Sequence, residues 1–265
     1  MRLLKKLFGK QKDKKALVTY SDSQKEKLSH IRGFDSEIYD KTKKLIIYAE
    51  GRGKSNPGWL LPVLESKITG VSKDKYREVL LNIVSEDMNT IETHENFSSA
   101  CNKGCYYCCK QVIYVNEYEA ADIIRKLQNL TSREKRRIRE KAKEIRNTAV
   151  TNGIPLYITL NNISDEEEIN KRYLKLDLEC PLLSEDKLCS IYNYRPMTCA
   201  TFRNYGKPND CNGQIAPHCK SFQDFYVDVY YQTMMKDPQY SSQSKIIESF
   251  VKGERLFSDV IAEEL

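Results

Sequence analysis

The feature that most constrains this chain is the crowding of its cysteines. All nine lie between Cys101 and Cys219 of the 265 residues, and four of them fall within the nine-residue stretch CNKGCYYCC. A chain of this length can bury a hydrophobic core without covalent cross-links. Folding alone therefore does not explain the thiols. They are metal ligands, the ligands of an iron–sulfur cluster, or disulfide partners.

The odd number of cysteines argues against a secreted disulfide framework, in which thiols are paired. The N-terminal residues also lack the long apolar segment and the small-residue cleavage site of a secretory signal. Thiols that crowd into one window of a chain kept in a reducing compartment are typical of metal ligands. We therefore expect a cytoplasmic protein.

The net charge of +6 is concentrated at the N-terminus. The segment MRLLKKLFGKQKDKK, residues 1–15, contains seven Lys or Arg and one Asp, so the remainder of the chain is neutral overall. A neutral body argues against specific nucleic-acid binding. We predict a basic flexible tail over residues 1–20, which would permit weak contact with an anionic membrane surface.

Apolar residues at helical spacing predict a mainly α protein: an irregular helical domain organised around a cysteine-bound metal core, with flanking N- and C-terminal helices. We expect a helical N-terminal region over residues 21–95 and a cysteine-cluster metal-binding domain over 96–225. Helices in residues 226–265 would pack on that domain. No run of apolar residues reaches the length of a membrane-spanning helix.

Several helix boundaries can be predicted from local signals. Ser36 is a candidate cap for a helix that ends near Gly51 and Gly53, and the segment SKDKYREVLLNIVSEDMNTIETH carries one apolar stripe that should pack against the cysteine region. Two pairs of residues, Asn116 with Glu119 and Thr131 with Glu134, are typical of helix N-termini. The basic helix that follows Thr131 interleaves Glu with Lys and Arg, which indicates a solvated face rather than a nucleic-acid contact.

The spacing of the thiols limits how they can share a metal. Adjacent side chains such as Cys108 and Cys109 leave the backbone in diverging directions, so one would enter the centre bound by Cys101 and Cys105 and the other would serve a second site or pack. Two adjacent four-thiolate sites and one iron–sulfur cluster with spare thiols are both open. The candidate metal ligands are Cys101, Cys105, Cys108, Cys109, Cys180, Cys189, Cys199 and Cys211. Cys219, beside His218, is either a ninth ligand or a bystander, and we favour the second interpretation.

Neighbouring residues suit such a centre. Four thiolates around zinc or a four-iron cluster leave a net charge of about −2, which nearby cations can offset. Gly104 would let backbone amides approach the sulfurs. The Arg195-Pro196 pair would set the turn that presents Cys199. The candidate cations are Lys103, Lys110, Arg195 and Arg203.

Two resemblances follow from these motifs. The stretch CNKGCYYC resembles the C-x3-C-x-aromatic-C motif of radical S-adenosylmethionine enzymes, which implies a cluster that binds that cofactor. The residues after Cys108 do not alternate strand and helix as such an enzyme requires, and no GGEP-like segment is present. A glycine-rich G-x-G-x-x-G fingerprint for the cofactor is also missing, so S-adenosylmethionine binding is an unsupported alternative.

The broader resemblance joins CNKGCYYCCKQVIYVNEYEA to CPLLSEDKLCSIYNYRPMTC. Together they resemble the YkgJ-type cysteine-cluster family, whose shared segment is regarded as a zinc- or iron-chelating domain. The positions that match are Cys101, Cys105, Cys108, Cys109, Glu119, Cys180, Pro181, Leu183, Cys189, Ile191, Tyr192, Arg195, Pro196 and Cys199, and Cys211 matches a further cysteine of some members. The resemblance covers roughly residues 96–220.

This resemblance implies a metal site more directly than an activity. It implies zinc or an iron–sulfur (4Fe-4S) cluster bound by the clustered cysteines. One branch of the family includes flagellin lysine N-methylases, which implies, as an alternative, an iron–sulfur-dependent enzyme that modifies the side chains of a protein substrate. Analogy between families is a weak basis for assigning activity. Catalytic residues remain unassigned.

Overall fold

A computed structural model describes residues 22–55, 60–72, 75–159, 166–222, 225–226 and 253–265. The predicted basic tail, residues 1–20, and most of the C-terminal segment 226–265 lie outside the described residues. In the described part the order of helices and strands is α1 Asp22–Ser29, α2 Ser36–Ser55, α3 Leu61–Ile68, α4 Tyr76–His94, β1 Tyr114–Val115, α5 Glu117–Leu127, α6 Ser132–Thr151, β2 Tyr157–Ile158, α7 Glu166–Leu174, α8 Met197–Thr201, β3 Phe202–Asn204, β4 Cys219–Ser221, β5 Glu254–Leu256 and α9 Phe257–Glu264. The prediction of a mainly α protein is confirmed.

The N-terminal helices pack around α4, whose apolar stripe is buried as predicted. Leu80, Ile83, Val84 and Met88 are each about 1% exposed. They form one core with residues of α2 and α3. Burial of such side chains stabilises a fold by roughly 1.5–3 kcal/mol each. The packing of the N-terminal helices therefore depends on the buried side chains of α4.

Helix α2 begins at Ser36 as predicted, but its capping residue and its end differ from the prediction. The residue that caps the helix is Asp35, whose carboxylate accepts the amides of Glu37 and Ile38, rather than Ser36. The helix also continues through Gly51 and Gly53 to Ser55. Glycine disfavours a helix by only about 1 kcal/mol, and the packing of Leu45, Ile46 and Ala49 in the shared core stabilises the helix around it.

The predicted caps of the next two helices are confirmed. The Asn116 side chain accepts the amides of Tyr118 and Glu119 at the start of α5. Thr131 and Glu134 form a reciprocal capping box at the start of α6. These side chains satisfy amides that have no partner within the helix.

Helix α6 packs against the C-terminal helix α9 on its apolar side. Ile138, Ala142 and the α9 residues Val260 and Ile261 belong to one buried cluster. On the polar side, Arg146 pairs with Asp259 of α9 at 2.5 Å. Helix α9 is therefore held against α6 by both apolar packing and an ion pair.

Short strands close the fold between distant segments. Strand β5 pairs with both β1 and β2 in antiparallel fashion, which joins residues 254–256 to 114–115 and 157–158. Strands β3 and β4 form a separate antiparallel hairpin, in which Asn204 faces Cys219. None of the helices in the described residues is long and apolar enough to span a lipid bilayer.

Candidate metal centre

The first four cysteines lie on a turn and a short 3₁₀ helix, Tyr107–Lys110. The amide of Cys105 donates to the Asn102 carbonyl at 3.1 Å and closes the turn. Gly104 has φ of 99°, a backbone conformation in which a β-carbon is strained. The glycine therefore permits the sharp turn that places Cys105 next to the 3₁₀ helix.

The second group of cysteines is joined to the first through the backbone. The Cys180 amide donates to the Cys109 carbonyl at 2.8 Å, although the two residues are far apart in the chain. An antiparallel bridge between Leu183 and Cys189 then folds the following residues back on themselves. Two distant segments of the sequence therefore meet at the cysteines.

The turn that leads to Cys199 is held by a buried arginine from α4. Arg77 donates to the carbonyls of Tyr194 and Arg195, at 3.1 and 2.9 Å, and pairs with Glu119 of α5. Nothing in the local sequence predicts this role for Arg77, which lies outside the cysteine motif.

Glu119 completes the same arrangement. Its carboxylate accepts the Met197 amide at 2.6 Å, at the first residue of α8. The side chain is 4% exposed. The glutamate at this motif position thus holds the start of the helix that carries Cys199, in agreement with the prediction that the Arg195-Pro196 turn presents this thiol.

The β3–β4 hairpin and its connecting loop lie beside Cys101 and carry Cys211 and Cys219. The sulfur of Cys101 accepts the Asn204 amide at 3.2 Å. Cys219, opposite Asn204 on the hairpin, has its sulfur 3.6 Å from that of Cys211. Cys219, which we interpreted as a bystander, therefore lies in direct contact with a candidate ligand.

Backbone amides point at several other sulfurs. Such donors favour the thiolate over the thiol and are common around bound metal centres. Burial raises the pKa of Cys105, Cys180 and Cys189, and a backbone amide two residues after each cysteine opposes this rise as a smaller effect. The donors are Tyr107, Leu182 and Ile191, respectively.

Burial and mutual repulsion oppose ionisation of most of these thiols. Burial raises the pKa of Cys101 to about 11 and that of Cys180 to about 12. For Cys199 burial is again the main cause, and negative charge on Cys108 and Cys180 raises its pKa further. Cys101 and Cys180 are therefore protonated at neutral pH when no cation is bound.

Cys108 behaves differently from its neighbours. A hydrogen bond from Cys109 lowers the pKa of Cys108 to about 7, and the nearby guanidinium groups of Arg195 and Arg203 act in the same direction. The same hydrogen bond raises the pKa of Cys109. Of the two adjacent thiols, Cys108 is therefore the one that ionises more readily.

The expected compensating cations are found in part. Arg203 is 8% exposed and lowers the pKa of Cys101, and Arg195 lowers the pKa of Cys189, in each case as a lesser effect than burial, which raises it. Lys110 forms an ion pair with Asp177 at 2.7 Å. Lys141 of α6, which the motif does not include, lowers the pKa of Cys180 against the larger effect of burial.

A set of thiolate donors suits either zinc or an iron–sulfur cluster. Thiolate sulfur is the preferred protein ligand of structural zinc and of iron–sulfur clusters, and all nine cysteines are free thiols. In the part of the chain that the structure describes, no group of three or more His, Cys, Asp or Glu side chains is arranged to hold a metal ion. The structure thus brings the candidate ligands into one region, while the metal-bound core itself stays a prediction.

Comparison with known proteins agrees with the motif. Residues 100–220 match the family model CxxCxxCC, described as "Putative zinc- or iron-chelating domain". The resemblance to the YkgJ-type family is confirmed for this segment, which is less than half of the chain. No curated protein and no solved structure gives a significant match.

Proposed function

Because residues 100–220 form a CxxCxxCC-type domain, we propose that this chain is a cytoplasmic protein that holds zinc or an iron–sulfur cluster. The observation that carries the proposal is the hydrogen bond between Cys180 and Cys109, which joins the two cysteine-bearing segments. Thiolates bind metal only in reduced form, so a reducing compartment suits this function. The ligands that we propose are Cys101, Cys105, Cys108, Cys109, Cys180, Cys189, Cys199 and Cys211.

The role that fits the fold best is structural. A metal bound by four thiolates is closed to substrates and stabilises the segments that it joins. Here it would join the turn before the 3₁₀ helix to the loops around Cys189 and Cys199. The charges of Arg195 and Arg203 would offset part of the negative charge of such a centre.

Metal analysis of the full chain, purified without oxygen, tests this proposal. We expect stoichiometric zinc, or iron with sulfide and visible absorption, and a lower metal content in both Cys105→Ser and Cys189→Ser. Ser190→Ala is the matched control, because it changes a residue beside Cys189 without removing a thiol. Unchanged metal content in both cysteine variants would refute the ligand assignment.

The same preparation tests the enzymatic alternative. An enzyme related to the lysine N-methylases would be coloured by its cluster, and one that used S-adenosylmethionine would bind it in equilibrium dialysis. A colourless protein with stoichiometric zinc and no affinity for that cofactor would leave the structural role. That result would exclude the enzymatic alternative and, with it, a protein substrate.

A further inference from the structure

We propose that the thiols form two metal sites rather than one, and that Cys219 is a ligand of the second. This inference rests on the proposed function. One group, which we name the hairpin set, contains Cys101, Cys105, Cys211 and Cys219. The other, the core set, contains Cys109, Cys180, Cys189 and Cys199.

The contact between Cys211 and Cys219 is the first argument for the hairpin set. Their sulfurs are 3.6 Å apart, and both residues are buried. A disulfide bond is about 2.05 Å long, so this is not a covalent contact. With zinc–sulfur bonds of about 2.3 Å, two ligands of one tetrahedral site have their sulfurs about 3.8 Å apart. The pair already has nearly the spacing of two ligands on one zinc ion.

The other two members of the hairpin set are tied to this pair. The Cys101 sulfur accepts the amide of Asn204, the residue directly opposite Cys219 on the hairpin. The Ala100 amide also donates to the Asn204 carbonyl at 2.8 Å, which holds the segment before Cys101 against the hairpin. Tyr107, two residues after Cys105, packs against the cluster that contains Cys211 and Cys219. The segments that carry Cys101 and Cys105 are thus both packed beside the Cys211–Cys219 pair.

The core set packs in a different place. Cys180 and Cys189 lie against the buried cluster that includes Ile123 and Ile191. Cys211 and Cys219 belong instead to a small separate cluster with Ala216, against which Tyr107 packs. The two pairs of thiols lie at two different hydrophobic clusters, which makes it difficult to gather them around a single ion.

Cys108 lies between the two sets. On the 3₁₀ helix its neighbour Tyr107 packs against the cluster of Cys211 and Cys219, and its other neighbour, Cys109, accepts the Cys180 amide. Each set already has four thiols without Cys108, so we assign it to neither. Its position allows it to bridge the two sites.

Each set offers four thiol donors and no other ligand type, which suits zinc or a four-iron cluster rather than a hard cation such as magnesium. When a set binds a metal, sulfur–metal bonds form and the thiol protons pass to solvent. The hairpin site would fix the β3–β4 hairpin to the turn at Gly104. The core site would fix the loops at Cys189 and Cys199.

The test is a zinc titration of the full chain under anaerobic conditions, with zinc counted by native mass spectrometry. We expect two zinc ions per chain in the wild type and one in Cys219→Ser or in Cys199→Ser. Ala216→Ser is the matched control, because it adds the same hydroxyl beside Cys219 without removing a thiol. It should retain two zinc ions.

Alkylation of the zinc-loaded variants shows which thiols are released. In Cys219→Ser we expect Cys101, Cys105 and Cys211 to become reactive while the core set stays protected. In Cys199→Ser the remaining core thiols should become reactive while the hairpin set stays protected. This reciprocal pattern is the result that one shared site cannot give.

The outcomes separate this inference from the proposed function. A wild type without zinc or iron would overturn both. A wild type with one metal that either variant abolishes would overturn only the division into two sets, and two zinc ions retained in Cys219→Ser would exclude Cys219 as a ligand. Circular dichroism shows whether Cys219→Ser folds. If it does not, Cys105→Ser, at a less buried position of the same set, must lose one zinc ion and release the other thiols of the hairpin set.

Discussion

At the scale of single residues, the contact between Arg77 and Glu119 links the cysteine region to the rest of the chain. Each side chain is 4% exposed. Removing two charges from water is unfavourable unless their remaining hydrogen-bonding groups are satisfied. In this structure these hydrogen-bonding groups are satisfied, because Arg77 donates to two carbonyls and Glu119 accepts an amide. The pair holds backbone groups that lead to Cys199.

We expect Arg77→Met to lower the free energy of unfolding by about 3–5 kcal/mol, because Glu119 would remain buried without its partner. Urea denaturation followed by circular dichroism measures the change. Arg133→Met, at an exposed position of α6, is the control and should change stability by no more than about 0.5 kcal/mol. Equal stability of the two variants would contradict the importance of the pair.

The thiols themselves predict a pH dependence. Since burial raises the pKa of Cys101 to about 11 and that of Cys180 to about 12, these groups are protonated at neutral pH and must release protons when metal binds. Zinc affinity should therefore fall as the pH is lowered, by about tenfold per pH unit for each proton released. Competition with a chelator between pH 6 and 8 measures this slope, and a slope of zero would show that the bound thiols are already ionised.

The sequence identifies part of this site and misses part of it, for physical reasons. The motif marks Glu119 but not Arg77, because their contact joins residues 42 positions apart and leaves no periodic signal in the sequence. Cys219 has no spacing that assigns it to a site. Only the pairing of β3 with β4 brings it to Cys211.

At the scale of helices and strands, the N-termini of α5 and α6 show how side chains satisfy free amides. The Thr131 hydroxyl accepts the Glu134 amide, and the Glu134 carboxylate accepts the Thr131 amide in return. The hydrogen bonds from Thr131 hold the pKa of Glu134 below its usual value. Helix α6 thus begins at a defined residue.

We expect Thr131→Ala to destabilise the protein by about 1 kcal/mol, because the Glu134 amide loses its acceptor. Thermal denaturation should show a lower Tm with little change in metal content, since Thr131 is exposed and is not a candidate ligand. Ser132→Ala, one residue further on, is the control. A larger loss in the control would mean that the helix is capped elsewhere.

Caps could be predicted because they depend on residues three positions apart. The strands could not, because each has only two or three residues and its partner is distant: Tyr114 pairs with Leu256. Gly51 and Gly53 favour a helix end by their local preference, yet α2 continues past them because its apolar side is buried. Packing between distant segments overrides local preference in both cases.

At the scale of the whole molecule, the N-terminal helices and the cysteine region share one hydrophobic core. Met197 and Ala200, beside Cys199, belong to the same buried cluster as Leu80 and Met88 of α4. The boundary that we predict near residue 95 therefore separates two segments of sequence that fold against each other. Metal binding in one should stabilise the other.

Helix α4 is hydrogen-bonded near each of its ends to a tyrosine that lies close in sequence to one of the two proposed thiol sets. Near its start, Glu78 accepts the Tyr194 hydroxyl at 3.2 Å, close to the turn before Cys199. Near its end, Glu92 accepts the Tyr205 hydroxyl at 3.1 Å, next to the hairpin. Helix α4, which lies outside the CxxCxxCC segment, should therefore respond to metal binding at both proposed sites.

We therefore expect zinc to slow hydrogen exchange along α4, measured by mass spectrometry of the full chain with and without the metal. Cys199→Ser should lose this protection mainly around Arg77, and Cys219→Ser mainly around Glu92, because each variant removes the site at one end of the helix. The Ala216→Ser control should keep both effects. If α4 exchanged at the same rate with and without bound zinc, the shared core would not transmit metal binding to the N-terminal helices, and the two halves of the molecule would be energetically independent.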